Sequence, residues 1–145
     1  GSTAVDLTGW ILRWSNANRG HEDNFTLPSY TLNPGSYVSV VDWGPAGSNC
    51  SVQGSDIRCR DIGWDDTQTG SCTLSDPQWN GVDFVRWGGS PASPRPPDAW
   101  TDQPLSLPDI PSGQSLGRDD QLPDTDAAAD WCLQNQSFGS ANSDC

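Results

Sequence analysis

The sequence predicts an all-β, disulfide-bonded domain with short strands and long loops rich in proline and glycine. Three observations lead there. Hydrophobic residues make up only 33% of the 145 residues, while glycine and proline number 15 and 12. Eight tryptophans and five cysteines accompany that low hydrophobicity. They separate the chain from a disordered one, which has no core in which to place large aromatics. Short β-branched and aromatic runs recur between turn signals. Only Asp126-Ala127-Ala128-Ala129-Asp130 suggests a helical turn.

Taken in order, Leu7–Arg13 carries Trp10, Ile11 and Leu12 at its middle and predicts a strand buried on both sides. Phe25-Thr26-Leu27 predicts a second. Leu32-Asn33-Pro34-Gly35 is a turn, its Pro-Gly suited to the two central positions of type II. It launches Ser36–Val41, the clearest β-branched run. In Val82–Trp87, alternation places Val82, Phe84 and Arg86 on one face and Asp83, Val85 and Trp87 on the other. Residues 88–112 hold seven of the twelve prolines. The 33 residues after them carry too few large apolar side chains for a core of their own, so the stretch reads as a loop within one domain, 1–145. Leu116, Trp131 and Leu133 then return to the main core, with Arg118 placed to pair with a nearby aspartate.

The cysteines are Cys50, Cys59, Cys72, Cys132 and Cys145. None forms a Cys-x-x-Cys pair, and the single His21 does not complete a zinc site with them. Disulfides, and hence an oxidising compartment, are the expectation. Cys50 to Cys59 reads as two short strands around Gly54-Ser55, a two-residue II′ turn with glycine first. Counting outward, the two cysteines face each other in a non-hydrogen-bonded pair, where Cα atoms lie about 4.5 Å apart. Cys132 and Cys145 are placed to close a C-terminal loop. Cys72 is then left over, either free or paired beyond this stretch of chain; its pairing with Cys50 or Cys59 is the alternative.

Charge narrows the function. Eighteen aspartates, one glutamate, seven arginines and no lysine give a formal net charge of −12. Such a surface repels nucleic-acid phosphates. The absence of lysine excludes Schiff-base and phosphate-loop lysine chemistry. His21 lies in a polar stretch that reads as a loop tip; serine is plentiful, but Gly-x-Ser-x-Gly is missing and His21 has no evident partner, so the inventory does not support a catalytic triad. No apolar run approaches 18 residues, the length that would span a membrane. The opening Gly1-Ser2-Thr3 suits a trimmed product or a piece of a longer protein.

The order of motifs resembles the lamin-tail domain family. Val5-Asp6-Leu7-Thr8-Gly9-Trp10 is similar to its signature, followed by Phe25-Thr26-Leu27-Pro28 and Leu32-Asn33-Pro34-Gly35-Ser36-Tyr37-Val38. Then come Val82–Trp87, Gly113-Gln114-Ser115-Leu116-Gly117-Arg118, Thr125-Asp126…Asp130-Trp131, and Ser137-Phe138-Gly139-Ser140-Ala141-Asn142. The resemblance implies an immunoglobulin-like β-sandwich, an accessory module of a larger bacterial secreted or surface protein, and no catalytic residues. Three features depart from the family. The strands that normally precede the signature are absent, Phe138 stands where proline is usual, and the cysteines and the 44–81 insertion are additional.

Two residue sets are candidate sites. Asp119, Asp120, Asp124, Asp126 and Asp130, and more weakly Asp61, Asp65 and Asp66, offer oxygen ligands at the short spacing Ca²⁺ uses. Asx-turns and caps explain the same residues equally well. Trp43, Trp64, Trp79 and Trp100 lie among Gly, Asp, Pro and Asn in predicted loops. Exposed indoles beside carboxylates and amides stack on sugar rings, whereas the plainer role is to cover loops at the core edge. Trp10, Trp87 and Trp131 are assigned to the core. Asn24, Asn49 and Asn135 head glycosylation sequons, relevant only in a eukaryotic secretory host. The expected function is therefore a non-catalytic extracellular module for attachment or protein contact. A carbohydrate-binding module, with Ca²⁺ as an optional cofactor, is the alternative.

Overall fold

The computed structural model describes residues 2–16, 21–42, 50–60, 70–88, 110–119 and 123–142. Those residues form an all-β structure consistent with a β-sandwich. The strands are β1 (Val5–Asp6), β2 (Ile11–Asn16), β3 (His21–Thr26), β4 (Thr31–Leu32), β5 (Ser39–Asp42) and β6 (Ser51–Gln53). They continue with β7 (Asp56–Cys59), β8 (Gly70–Ser75), β9 (Gly81–Trp87), β10 (Gln114–Arg118) and β11 (Trp131–Asn135). A 3-10 turn, Ala128–Asp130, precedes β11 where a helical turn was anticipated. An antiparallel sheet runs β3-β2-β8-β9, a smaller sheet runs β5-β7-β6, and β1-β4 and β10-β11 form two separate ladders.

The disulfide hairpin forms as its local chemistry dictates. Gly54 has φ +65 and Ser55 keeps an ordinary negative φ, the pattern of a II′ turn. The register Gln53↔Asp56, Val52↔Ile57 and Ser51↔Arg58 brings Cys50 to Cys59 with Cα atoms 4.1 Å apart, and the two are bonded. Ile57 is completely buried, yet Val52 across from it is exposed. The difference is position: β7 is the central strand and β6 the edge. Cys72 is a free thiol. Cys132 is disulfide-bonded, while Cys145, its expected partner, lies outside the described residues.

Period-two alternation in the large sheet puts Trp14, Cys72 and Val85 in one row, with Gly70 and Trp87 beside it on the same face. Around Trp14 that face is closed by Leu7, Leu27, Ile57 and the Cys50–Cys59 bridge, with Phe25, Tyr30 and Val40 packed against the cluster. Around Cys72, Val85 and Trp87 it looks instead across a cleft of about 540 Å³ toward Leu116 and Trp131 on the β10-β11 ladder. The opposite face buries Ile11 and Phe84 among Ser71, Thr73 and Ser75.

Several expectations shift at this level. The strand foreseen over Leu7–Arg13 begins only at Ile11. Gly9 has φ +78, and Trp10 N–H donates to the Leu7 carbonyl at 3.1 Å, so Leu7–Trp10 is a turn. His21 opens β3 instead of sitting in a loop tip, because its backbone pairs with Asn16 across the β2-β3 hairpin. The Pro34-Gly35 turn forms, with Gly35 at φ +70 and Ser36 N–H bonded to the Asn33 carbonyl at 3.1 Å. The strand after it starts at Ser39, where parallel pairing with β7 begins, and leaves Tyr37 exposed. Trp87 is buried and Trp10 is half-buried against the core.

Gly70 shows how closely the sheet is fitted. A Cβ there would lie 2.4 Å from Cζ2 and 2.8 Å from Cε2 of Trp87, directly across the β8-β9 ladder. Its φ lies outside the left-handed region, so the constraint is one of space alone. Gly70→Ala must displace a rigid indole and is expected to cost about 1–3 kcal/mol. Urea denaturation measures it, and a red-shifted tryptophan emission should accompany it.

Candidate functional site

The best-organised polar site is the loop between β8 and β9, at one end of the large sheet. The five residues Asp76-Pro77-Gln78-Trp79-Asn80 join β8 to β9. Asp76 folds this loop around its carboxylate. Oδ1 accepts from Gln78 N–H at 2.9 Å and Asn80 N–H at 2.8 Å, and Oδ2 accepts from Asn80 Nδ2 at 2.7 Å. Asp76 N–H donates to the Asn80 carbonyl at 2.9 Å, and Trp79 N–H to the Asp76 carbonyl at 3.0 Å. Pro77 rests on Gly9, 3.6 Å from where a side chain would start, so the Leu7–Trp10 turn buttresses this loop. The β9 ladder slips between Leu74 and Ser75, so Val82 is an extra residue beside the loop. Such bulges re-aim chain segments next to sites.

Trp79 is thereby held at φ +66, a conformation that a bulky side chain adopts only under constraint. Its indole is 52% exposed. Beside it lies a recess of about 250 Å³ lined by Arg13, Glu22, Asn24 and Ser75. Alternation along β2 and β3 puts Arg13, Glu22 and Asn24 on one face, and Arg13 Nη2 pairs with Glu22 Oε1. The arrangement supplies a fixed apolar ring face next to a cation, an anion and an amide.

Hydrogen bonding to Asn80, helped by the backbone N–H groups of Asn80 and Gln78, holds the Asp76 carboxyl below its ordinary value. The loop therefore stays closed through mildly acidic conditions. Asp76→Ala removes every acceptor and is expected to weaken any ligand stacked on Trp79 by about tenfold. Asp76→Asn keeps one oxygen acceptor and should fall between. Titration calorimetry on both variants ranks them.

Of the four loop tryptophans foreseen as a ligand surface, Trp79 is exposed beside this recess, whereas Trp43, Trp64 and Trp100 lie outside the described residues. The foreseen Ca²⁺ set resolves differently. Asp130 is buried and accepts from Thr125 N–H and Oγ1, each at 2.8 Å, and from Ala127 N–H at 3.2 Å. Asp124 pairs with Arg118 and accepts from Asp126 N–H at 3.2 Å. Asp119 N–H donates to the Asp130 carbonyl at 3.0 Å. The Asp124 and Asp130 carboxylates fold their own loop, and among the described residues no group of three or more His, Cys, Asp or Glu is arranged to hold a metal ion. Asp120, Asp61, Asp65 and Asp66 lie outside the described residues.

Burial alone would raise the Asp130 pKa, but the hydrogen bonds from Thr125 and Ala127 outweigh it and hold the carboxyl low. A depressed folded-state pKa contributes stability above the unfolded value, and that contribution is lost as pH falls through the folded value. Acid should therefore loosen the β10-β11 ladder below about pH 4. Asp130→Asn should melt earlier at neutral pH and lose less stability than the parent on acidification. Thermal melts at several pH values compare them.

Arg13, Glu22 and Asn24 were not foreseen as site residues. The usable signal was the Asp76-to-Asn80 spacing, an Asx-turn pattern that places the tryptophan between them. Comparison with protein-family models, curated proteins and solved structures finds no match. No helix among the described residues is long and apolar enough to cross a membrane.

Proposed function

We propose that this chain is a non-catalytic extracellular binding module of a larger secreted or surface protein, built as a lamin-tail-like, immunoglobulin-like sandwich, and that it attaches to carbohydrate. One observation carries the reading: an exposed Trp79, constrained at positive φ by the Asp76 loop, stands over Arg13, Glu22 and Asn24. Backbone strain in a non-glycine residue persists where surrounding structure over-determines it, and such residues cluster at ligand sites. The ring face meets the apolar face of a pyranose while the polar side chains meet its hydroxyls. The Cys50–Cys59 bridge fits an oxidising, extracellular setting. The family resemblance supports a bacterial secreted parent.

Attachment through protein contact is the second reading. It is favoured by Phe138, 78% exposed on a turn closed by Ser140 N–H to the Ser137 carbonyl at 3.0 Å. A glycan array run with and without EDTA separates the two. Sugar binding insensitive to EDTA supports the Trp79 site without Ca²⁺, and sensitivity to EDTA restores a cation. Failure to bind any sugar removes the carbohydrate reading. Turnover of a glycoside, abolished by one Asp→Asn change, would overturn the non-catalytic assignment.

A further inference from the structure

The Trp79 recess is small, and the two charges that line it are paired with each other. Both properties restrict what it takes. Its volume of about 250 Å³ is the room of about eight waters, and lies below the about 300–1,000 Å³ of sites that enclose drug-sized ligands. Trp79 is the one indole among the described residues that line it. One aromatic face and that volume match one hexose unit. Further units of the same glycan would lie outside, against water.

The lining also selects by charge. Arg13 and Ser75 are the more buried members, while Glu22 and Asn24 are exposed. Arg13 Nη2 donates to Glu22 Oε1, so the cation of the recess stands beside an anion. A sugar carboxylate would have to displace Glu22 from Arg13, and to approach a chain of net charge −12. An amino sugar is drawn by that overall charge, but within the recess it competes with Arg13 for Glu22. Hydroxyls displace neither partner. A guanidinium only donates and a carboxylate only accepts, so side by side they engage two neighbouring hydroxyls, one accepting and the other donating. Asn24 and Ser75 each offer both a donor and an acceptor for further hydroxyls.

On the carbohydrate reading given above, we infer that the recess takes a single uncharged pyranose ring with two neighbouring free hydroxyls, and that it discriminates against uronic acids. Trp79 covers the apolar face of the ring. The Arg13–Glu22 pair holds the hydroxyls, and the rest of the glycan stays in solvent. The chain then reads the identity of one sugar unit, not the length of a polymer.

NMR titration of the whole chain, following its indole N–H signals at about 0.15 M salt, tests this. The neutral probes are the methyl glycosides of glucose, galactose, mannose and N-acetylglucosamine. Methyl glucuronide and methyl galacturonide are the acidic probes, and the di- and tetrasaccharides of the neutral sugars form the length series. The expected result is that the tightest neutral glycoside binds at least about tenfold better than either uronide. Its tetrasaccharide should stay within about fourfold of it, the statistical gain of a four-unit chain. Glu22→Gln removes the anion of the pair and should raise uronide binding relative to neutral binding by about tenfold. Near-ultraviolet dichroism checks its fold, and Glu22→Ala replaces it if that spectrum is lost. Absence of binding by every neutral glycoside and oligosaccharide defeats the carbohydrate reading itself. Three other results leave that reading in place and overturn the single uncharged ring: a gain of tenfold or more with length, a uronide as tight as the best neutral glycoside, or an unchanged ratio in the folded Glu22 variant.

Discussion

Trp79→Ala should abolish or sharply weaken sugar binding while leaving the fold in place. The indole is half exposed and stands on a loop closed by Asp76, so its removal takes away little buried surface. Substitutions at exposed positions without structural partners usually change stability by less than about 0.5 kcal/mol. Aromatic stacking on a planar or ring-shaped ligand is worth about 1–3 kcal/mol in comparable sites, so affinity should fall by about tenfold or more. Trp79→Gly sharpens the test. At φ +66 glycine carries no steric penalty whereas alanine does, so the glycine variant should melt above the alanine variant although neither binds. Calorimetric titration with the strongest glycan found on the array, together with thermal melts, gives both numbers. Parental affinity in either variant would end the carbohydrate assignment.

Trp14→Ala should have the largest effect on stability. Trp14 is 3% exposed and belongs to the cluster that joins the large sheet to Leu7, Leu27, Ile57 and the Cys50–Cys59 bridge. Truncating a buried tryptophan costs about 3–5 kcal/mol through lost transfer energy and the cavity left behind. Domains of this size hold about 5–15 kcal/mol in total, so the variant should lose about a fifth or more of its stability and its urea midpoint should fall sharply. A urea midpoint close to that of the parent would mean that the two layers do not depend on this contact. The bridge cannot compensate, since it links neighbouring strands of one sheet and leaves the other layer untethered.

Trp14 also marks where sequence reading reached its limit. Trp10, Ile11 and Leu12 drew attention as a run, while Trp14 lay among Arg13, Ser15 and Asn16. Only the register Trp14↔Cys72 puts it in the interior. β8 was equally hidden. Gly70-Ser71-Cys72-Thr73-Leu74-Ser75 is short of large apolar residues, yet it lies between β2 and β9 and buries Ser71, Thr73 and Ser75. A central strand needs its backbone satisfied on both edges, and two flanking strands supply that regardless of how polar its side chains are. The site followed the same division. Trp79 was legible as a loop indole, but Arg13, Glu22 and Asn24 come from a hairpin more than 50 residues earlier in the chain.

By itself the sequence determined the all-β class, the Gly54-Ser55 hairpin with its Cys50–Cys59 bridge, the Pro34-Gly35 turn and the alternation of β9. Each depends on interactions within about ten residues, where turn chemistry and side-chain period leave few alternatives. Tertiary structure alone decided the parallel pairing of β5 with β7, the central place of β8, the turning of Asp130 onto its own loop, and the open cleft beside Trp87. Those outcomes depend on which distant strands meet and in what register, and a one-residue slip would have exchanged every inward side chain for an outward one.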